Sequence, residues 1–191
     1  IISAIVKAIE STGKDKLTDL EKDAFEQLQE WDHKSTIESL GTAVYHNTAY
    51  HIMKEAVEDE MGSINFKSLL SLHGHWSFLK AILKNEESRF WDNVNTKGTE
   101  TREDIITTAF KKSIAELEEE LGGNVNRWKW GRLHTIEYEH PFGMQAPLNI
   151  LFNIGPFPAP GEAHHINRMK TQWNKHDYRV YSVPSTRRLI S

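Results

Sequence analysis

Apolar residues recur with a helical period through the first 123 positions and lose it afterwards. Ile2, Ile5, Val6 and Ile9 follow the i, i+3, i+4, i+7 spacing of one helix face. Thr18 and Glu21 have capping-box spacing, opening a helix with Leu20, Ala24, Leu28 and Trp31 on one side. Ser35 and Glu38 repeat that signature before Ile37, Leu40, Val44, Thr48 and Ile52, and Gly62 is the expected stop of this long helix. Phe66, Leu69, Leu70, Phe78 and Leu83 continue the apolar pattern, with its period interrupted at His73-Gly74-His75. Ile106, Ala109, Phe110, Ile114, Leu117 and Leu121 make the clearest stripe, closed by Gly122-Gly123.

Beyond Gly123 the texture is that of strands. Thr135–Tyr138, Leu148–Ile154 and Tyr178–Val183 are short runs rich in β-branched and aromatic residues, separated by Gly and Pro clusters. Helices first and strands second predict an α+β fold, with a helical layer over about 1–122 and strands over about 128–190. One domain is expected, mainly helical over 1–123 and mainly β over 124–191, with a change of layer at the glycine pair. Charge follows the same division. Nine Lys/Arg against four Asp/Glu leave residues 124–191 at +5, so residues 1–123 carry −9 towards the net −4. The overall balance gives no pull toward nucleic acid or an anionic membrane surface. The absence of cysteine removes disulfides and thiolate chemistry. No apolar run approaches the roughly 20 residues that span a bilayer.

Three blocks in fixed order carry the chemistry-bearing signal. The first is Trp128, Trp130, Gly131 and His134 leading to His140-Pro141. Gly155, Pro156, Phe157, Pro160 and Gly161 form the second. The third is Pro184, Ser185 and Arg187, followed by Leu189 and Ile190. This set resembles the later part of the penicillin amidase (penicillin acylase) family, and Trp31-Asp32 after a helix is a weaker match upstream. Val183 stands where the family pattern has Gly. The resemblance implies an amidohydrolase with an N-terminal nucleophile and an αββα four-layer fold. Its Ser, Cys or Thr side chain attacks the amide carbonyl while its own α-amine acts as base. Upstream donors would stabilise the oxyanion. Ile1 has no nucleophilic atom, and the chain is expected to be an internal or C-terminal fragment of the β chain, inactive alone. No catalytic residue is then expected within it. Its partners would be the missing α chain and the nucleophile-bearing β segment, with self-association of the fragment as a further expectation. The resemblance further implies acylated β-lactams or N-acyl homoserine lactones as substrates, no cofactor, and a bacterial periplasmic setting.

Each motif also has a plainer reading. The Trp128–His140 block can support a substrate pocket, or it can be a packed strand start with its imidazoles satisfied by hydrogen bonds. Ten histidines invite metal ligation at His73/His75, His164/His165 or His46/His51, but none has zinc-motif spacing and no carboxylate partner is evident, so no metal is expected. Gly155–Gly161 reads as a rigid extended connection, Arg187 as an internal ion-pair partner, and Glu116–Glu120 as a solvated acidic face. The alternative for the whole chain is a stand-alone, non-catalytic binding or scaffold domain.

Overall fold

The computed structural model describes residues 1–72, 74–163 and 168–182. Helices α1 (Ile2–Thr12), α2 (Asp19–Gln29), α3 (Leu40–Ser71), α4 (His75–Lys84) and α5 (Arg102–Leu121) come first. They are followed by a short helix α6 (Trp130–Leu133), strand β1 (Thr135–Tyr138), a short helix α7 (Asn149–Phe152), and strands β2 (Ile154–Pro158), β3 (Lys170–Gln172) and β4 (Asp177–Ser182). The fold is α+β, with the layer change after α5 where the periodicity ends.

Helix α3 is the axis of the molecule. From Gly41 to Val57 nearly every side chain is buried, including Thr42, His46, Asn47, Thr48 and His51. A helix buried on all sides can keep polar residues only if each finds a partner. Asn47 Nδ2 donates to the Ser113 carbonyl at 3.0 Å and Thr48 Oγ1 to Ser113 Oγ at 3.2 Å, both on α5. The stripe of α5 forms the opposing wall, with Ile106, Ala109, Phe110, Ile114 and Leu117 at most 2% exposed. Capping boxes open α2 (Thr18 with Glu21) and α5 (Thr101 with Asp104).

Some local expectations change. Ser39, not Ser35, caps α3, its hydroxyl accepting from Thr42 N at 3.2 Å; Ser35 lies in the preceding loop, where its carbonyl accepts from Gly161 N. Gly62 does interrupt α3 where a stop is expected, with a non-helical φ of 75°, and a second helical stretch then runs on to Ser71. Residues 149–152 form a helical turn rather than strand. Their backbone N–H groups donate to the carbonyls of Gln145, Pro147 and Leu148 just upstream, and their apolar side chains face outward, with Ile150 79% and Leu151 76% exposed. A short apolar run carries no period that separates these two outcomes. The expected rigid connection over 155–161 is in part strand β2, pairing antiparallel to β1 with Thr135 opposite Pro158 and Ile136 opposite Phe157.

The sheet has order β2-β1-β4-β3. β1 runs parallel to β4, with Ile136 beside Val180, and β3 and β4 form an antiparallel hairpin that returns to the helical layer.

Close packing of α2 on α3 rests on Gly41. A Cβ there would lie 2.5 Å from Trp31 Cβ and 2.8 Å from the Gln27 carbonyl oxygen, neither of which is a movable side-chain tip. Gly41→Ala should therefore destabilise the chain by about 1–3 kcal/mol through overpacking. Urea unfolding would register this as a lower midpoint, and an unchanged midpoint would mean that the α2–α3 contact yields without cost.

Candidate functional site

The Trp128–His134 segment is drawn into the core by its own hydrogen bonds. Trp128 and Trp130 are fully buried, and their indole N–H groups donate to the carbonyls of Gly122 (2.7 Å) and Gly161 (3.0 Å). The backbone N–H groups of Trp130 and Gly131 donate to the carbonyls of Ser39 and Ile37, each at 2.9 Å, stitching α6 to the start of α3. Gly131 has no room for a side chain, since a Cβ would sit 2.9 Å from Pro158 and 3.0 Å from Ile37. His134 is also fully buried, and its Nδ1–H donates to the Tyr178 carbonyl of β4 at 2.7 Å. The Trp130 ring stacks between His46 (4.9 Å between centroids) and His134 (4.7 Å).

Beside this stack, three titratable groups from three elements converge. His51 of α3 donates Nε2–H to Glu116 Oε2 of α5 at 2.6 Å. His176, in the turn between β3 and β4, places Nδ1 3.2 Å from Glu116 Oε1. Its other nitrogen, Nε2, lies 2.9 Å from Asn47 Oδ1, which also accepts from the Tyr178 hydroxyl at 3.0 Å. Tyr50 lies flat on the His176 ring, with centroids 3.5 Å apart and planes 9° from parallel. The turn itself holds His176 in the left-handed region, φ 51°, a conformation for which His is one of the more tolerant non-glycine residues.

Burial sets the protonation of this region. It would raise the Glu116 carboxyl, but hydrogen bonds from His176 and His51 outweigh it and hold the group well below the usual carboxylate range. The Tyr50 phenol is pushed up to about 12 by burial, with Glu58 and Glu116 adding to the rise. Tyr178 is raised well above its usual value by burial and then by Glu116. His134 is lowered to about 4, because burial opposes its charged form more than the Tyr178 carbonyl supports it. The arrangement therefore sets an anionic carboxylate near neutral phenols, with a neutral His134 on the far side of Tyr178.

The anticipated site residues do not all gather. Trp128, Trp130, Gly131 and His134 share the core. His140 and Pro141 lie on the exposed surface beyond β1, where His140 Nδ1 caps a turn by accepting from Phe142 N at 3.2 Å. The length of β1 thus lies between His134 and His140. Gly155 and Pro156 sit on the exposed edge strand β2, and Ser185 and Arg187 lie outside the described residues. Glu116 is not part of a freely solvated face, since it bridges two histidines. That also supplies a carboxylate partner that spacing along the chain left hidden. His51 was one of a sequence-local pair with His46, but its partners are 65 and 125 positions away. The usable hint was the polar row Asn47, Thr48 and His51 inside an otherwise buried helix.

An α+β chain with a buried Trp-Trp-Gly-His segment, a short mixed sheet and a helical layer now meets its relatives. The sequence profile of the penicillin amidase family matches residues 3–191, and the chain belongs to that family. It is 26% identical over 175 residues to the acyl-homoserine lactone acylase QuiP of Pseudomonas fluorescens (strain Pf0-1), covering 88% of this chain and 20% of that protein. Identity to the QuiP acylase of Pseudomonas aeruginosa (strain PAO1) is 23% over 186 residues, covering 88% and 22% respectively. The chain thus spans about a fifth of the length of these curated relatives.

Proposed function

We propose that these residues are part of an acylase that hydrolyses linear amides, with N-acyl homoserine lactones as the favoured substrate class. The observation that carries the reading is the family match across residues 3–191; the names of the relatives favour acyl homoserine lactones over acylated β-lactams. In this reading the nucleophile and oxyanion donors come from sequence outside residues 1–191, and attack, acyl-enzyme formation and hydrolysis by water occur there. The present residues supply a helical layer and sheet against which that centre is built. The remaining polypeptide packs on the exposed apolar surface around β2, where Phe142, Met144, Ile150, Leu151 and Ile154 are each more than 60% exposed. A patch of that kind marks an interface in a soluble protein. Periplasmic residence is part of the proposal. Among the described residues, no helix is long and apolar enough to cross a membrane.

The test compares the full-length polypeptide with residues 1–191 alone. Each is incubated with N-acyl homoserine lactones of several acyl lengths and with an acylated β-lactam, and free amine and acid are measured by mass spectrometry. Hydrolysis by the full-length protein and none by residues 1–191 is the expected result. Activity in the 191-residue chain alone, or failure of the full-length protein on every amide, would overturn the proposal.

A further inference from the structure

Two imidazoles and a carboxylate meet where the β3–β4 hairpin touches the helical layer. Among the described residues, His51, Glu116 and His176 place one ligand atom each within 4.8 Å of one another. We propose that these three residues form a site for one divalent transition-metal ion of the zinc class, which ties residues 170–182 to α3 and α5.

The donor set is the first argument. Two imidazole nitrogens and one carboxylate oxygen suit zinc, whereas calcium and magnesium call for oxygen ligands. Zinc bonds of about 2.1 Å in a tetrahedron separate neighbouring donors by about 3.4 Å. His176 Nδ1 lies 3.2 Å from Glu116 Oε1, close to that separation, and His51 Nε2 lies 2.6 Å from the other oxygen, Oε2, which is shorter. Small rotations of Glu116, whose side chain is 37% exposed, can open the shorter one.

A second, independent argument comes from what lies behind His176. Metal-binding imidazoles characteristically donate their remote N–H to a fixed acceptor, which selects the tautomer and orients the ring. Asn47 Oδ1 is such an acceptor at 2.9 Å. It is held by the Tyr178 hydroxyl on one side, while the Asn47 amide nitrogen donates to the Ser113 carbonyl on the other. With Nε2–H committed to Asn47, His176 Nδ1 is the nitrogen left to face Glu116, and Tyr50 stacked on the ring stops it from turning away. Next to His176 lies a cleft of about 510 Å³, lined also by Glu120, Arg132, Lys175 and Asp177.

The inference stands apart from the acylase reading, because metal uptake is measured without substrate. The full-length polypeptide, stripped with chelator and dialysed, is titrated with Zn²⁺ by calorimetry and with Co²⁺ by visible absorption, alongside Glu116→Gln and His176→Asn. Glutamine keeps the shape of a partly exposed side chain, and asparagine tolerates the left-handed backbone at 176. Wild type should bind one equivalent more than either variant and show Co²⁺ ligand-field bands that the variants lack. Its thermal midpoint should rise with Zn²⁺ where theirs do not. Each variant should weaken the site by more than the roughly 10–100-fold typical of losing an outer partner. Equal uptake by wild type and both variants, or no uptake by wild type above the stripped control, would overturn the assignment.

Discussion

Trp130→Ala is expected to destabilise the chain by about 3–5 kcal/mol, the range for deleting a fully buried large aromatic side chain. The ring has no solvent exposure, sits between two imidazoles in near-parallel stacks, and leans on Tyr178 of β4 at 5.6 Å between centroids. Its N–H also satisfies the Gly161 carbonyl. Removing it opens a cavity where α3, α6 and the sheet meet and orphans one buried acceptor, so the transfer, cavity and hydrogen-bond losses act together. Trp130→Phe should cost less, because it retains much of the stack and loses mainly the hydrogen bond and part of the volume. Phe142→Ala, at a ring 64% exposed, serves as control and should lie within about 0.5 kcal/mol of wild type. Urea denaturation followed by far-ultraviolet circular dichroism measures all three. Equal midpoints for Trp130→Ala and Phe142→Ala would show that the stack does not hold the two layers together.

Stability should also fall steeply on mild acidification, with His134 as the main cause. Its folded value is about 4 against a usual 6.5. Between those values the unfolded chain binds a proton that the folded chain refuses, so stability rises with pH across this window. The full contribution is present above about pH 6.5 and is lost as pH falls through 4. A shift of this size corresponds to about 3 kcal/mol at most. Glu116 acts in a lower window. Its folded value is depressed, so its contribution is present above the usual glutamate range and is lost only as pH falls below it. His134→Asn removes the titrating group while keeping an N–H donor for the Tyr178 carbonyl. Unfolding free energies measured from pH 7.5 to 4 should give a much flatter slope in that variant. A slope as steep as wild type would assign the acid sensitivity elsewhere.

These two effects arise from residues whose importance was legible to different degrees. The Trp-Trp-Gly-His block stood out along the chain as an improbable sequence and as a family signature, and the structure buries all four residues. Family membership and the α+β class were equally open to reading, because both depend on motifs and periods contained within short windows. Strand β1 falls over 135–138, where the run of β-branched and aromatic residues predicts it, and β4 falls within one residue of its expected start. Where a segment is short and mostly apolar, as at 148–154, the window holds too little pattern to choose between a turn of helix and a strand.

The chain by itself determined the helical layer, the capping box at α2, the change of texture at Gly122-Gly123 and the family. Each of these follows from preferences that act over a few residues, through side-chain period, capping hydrogen bonds or turn chemistry. Only the tertiary structure decided that Glu116 faces inward, that His51 and not His46 meets it, and that the hairpin turn delivers His176 to the same point. Those three residues are separated by 60 to 125 positions. What unites them is the packing of α5 on α3 and the return of β4 alongside β1, and no local period records such a meeting.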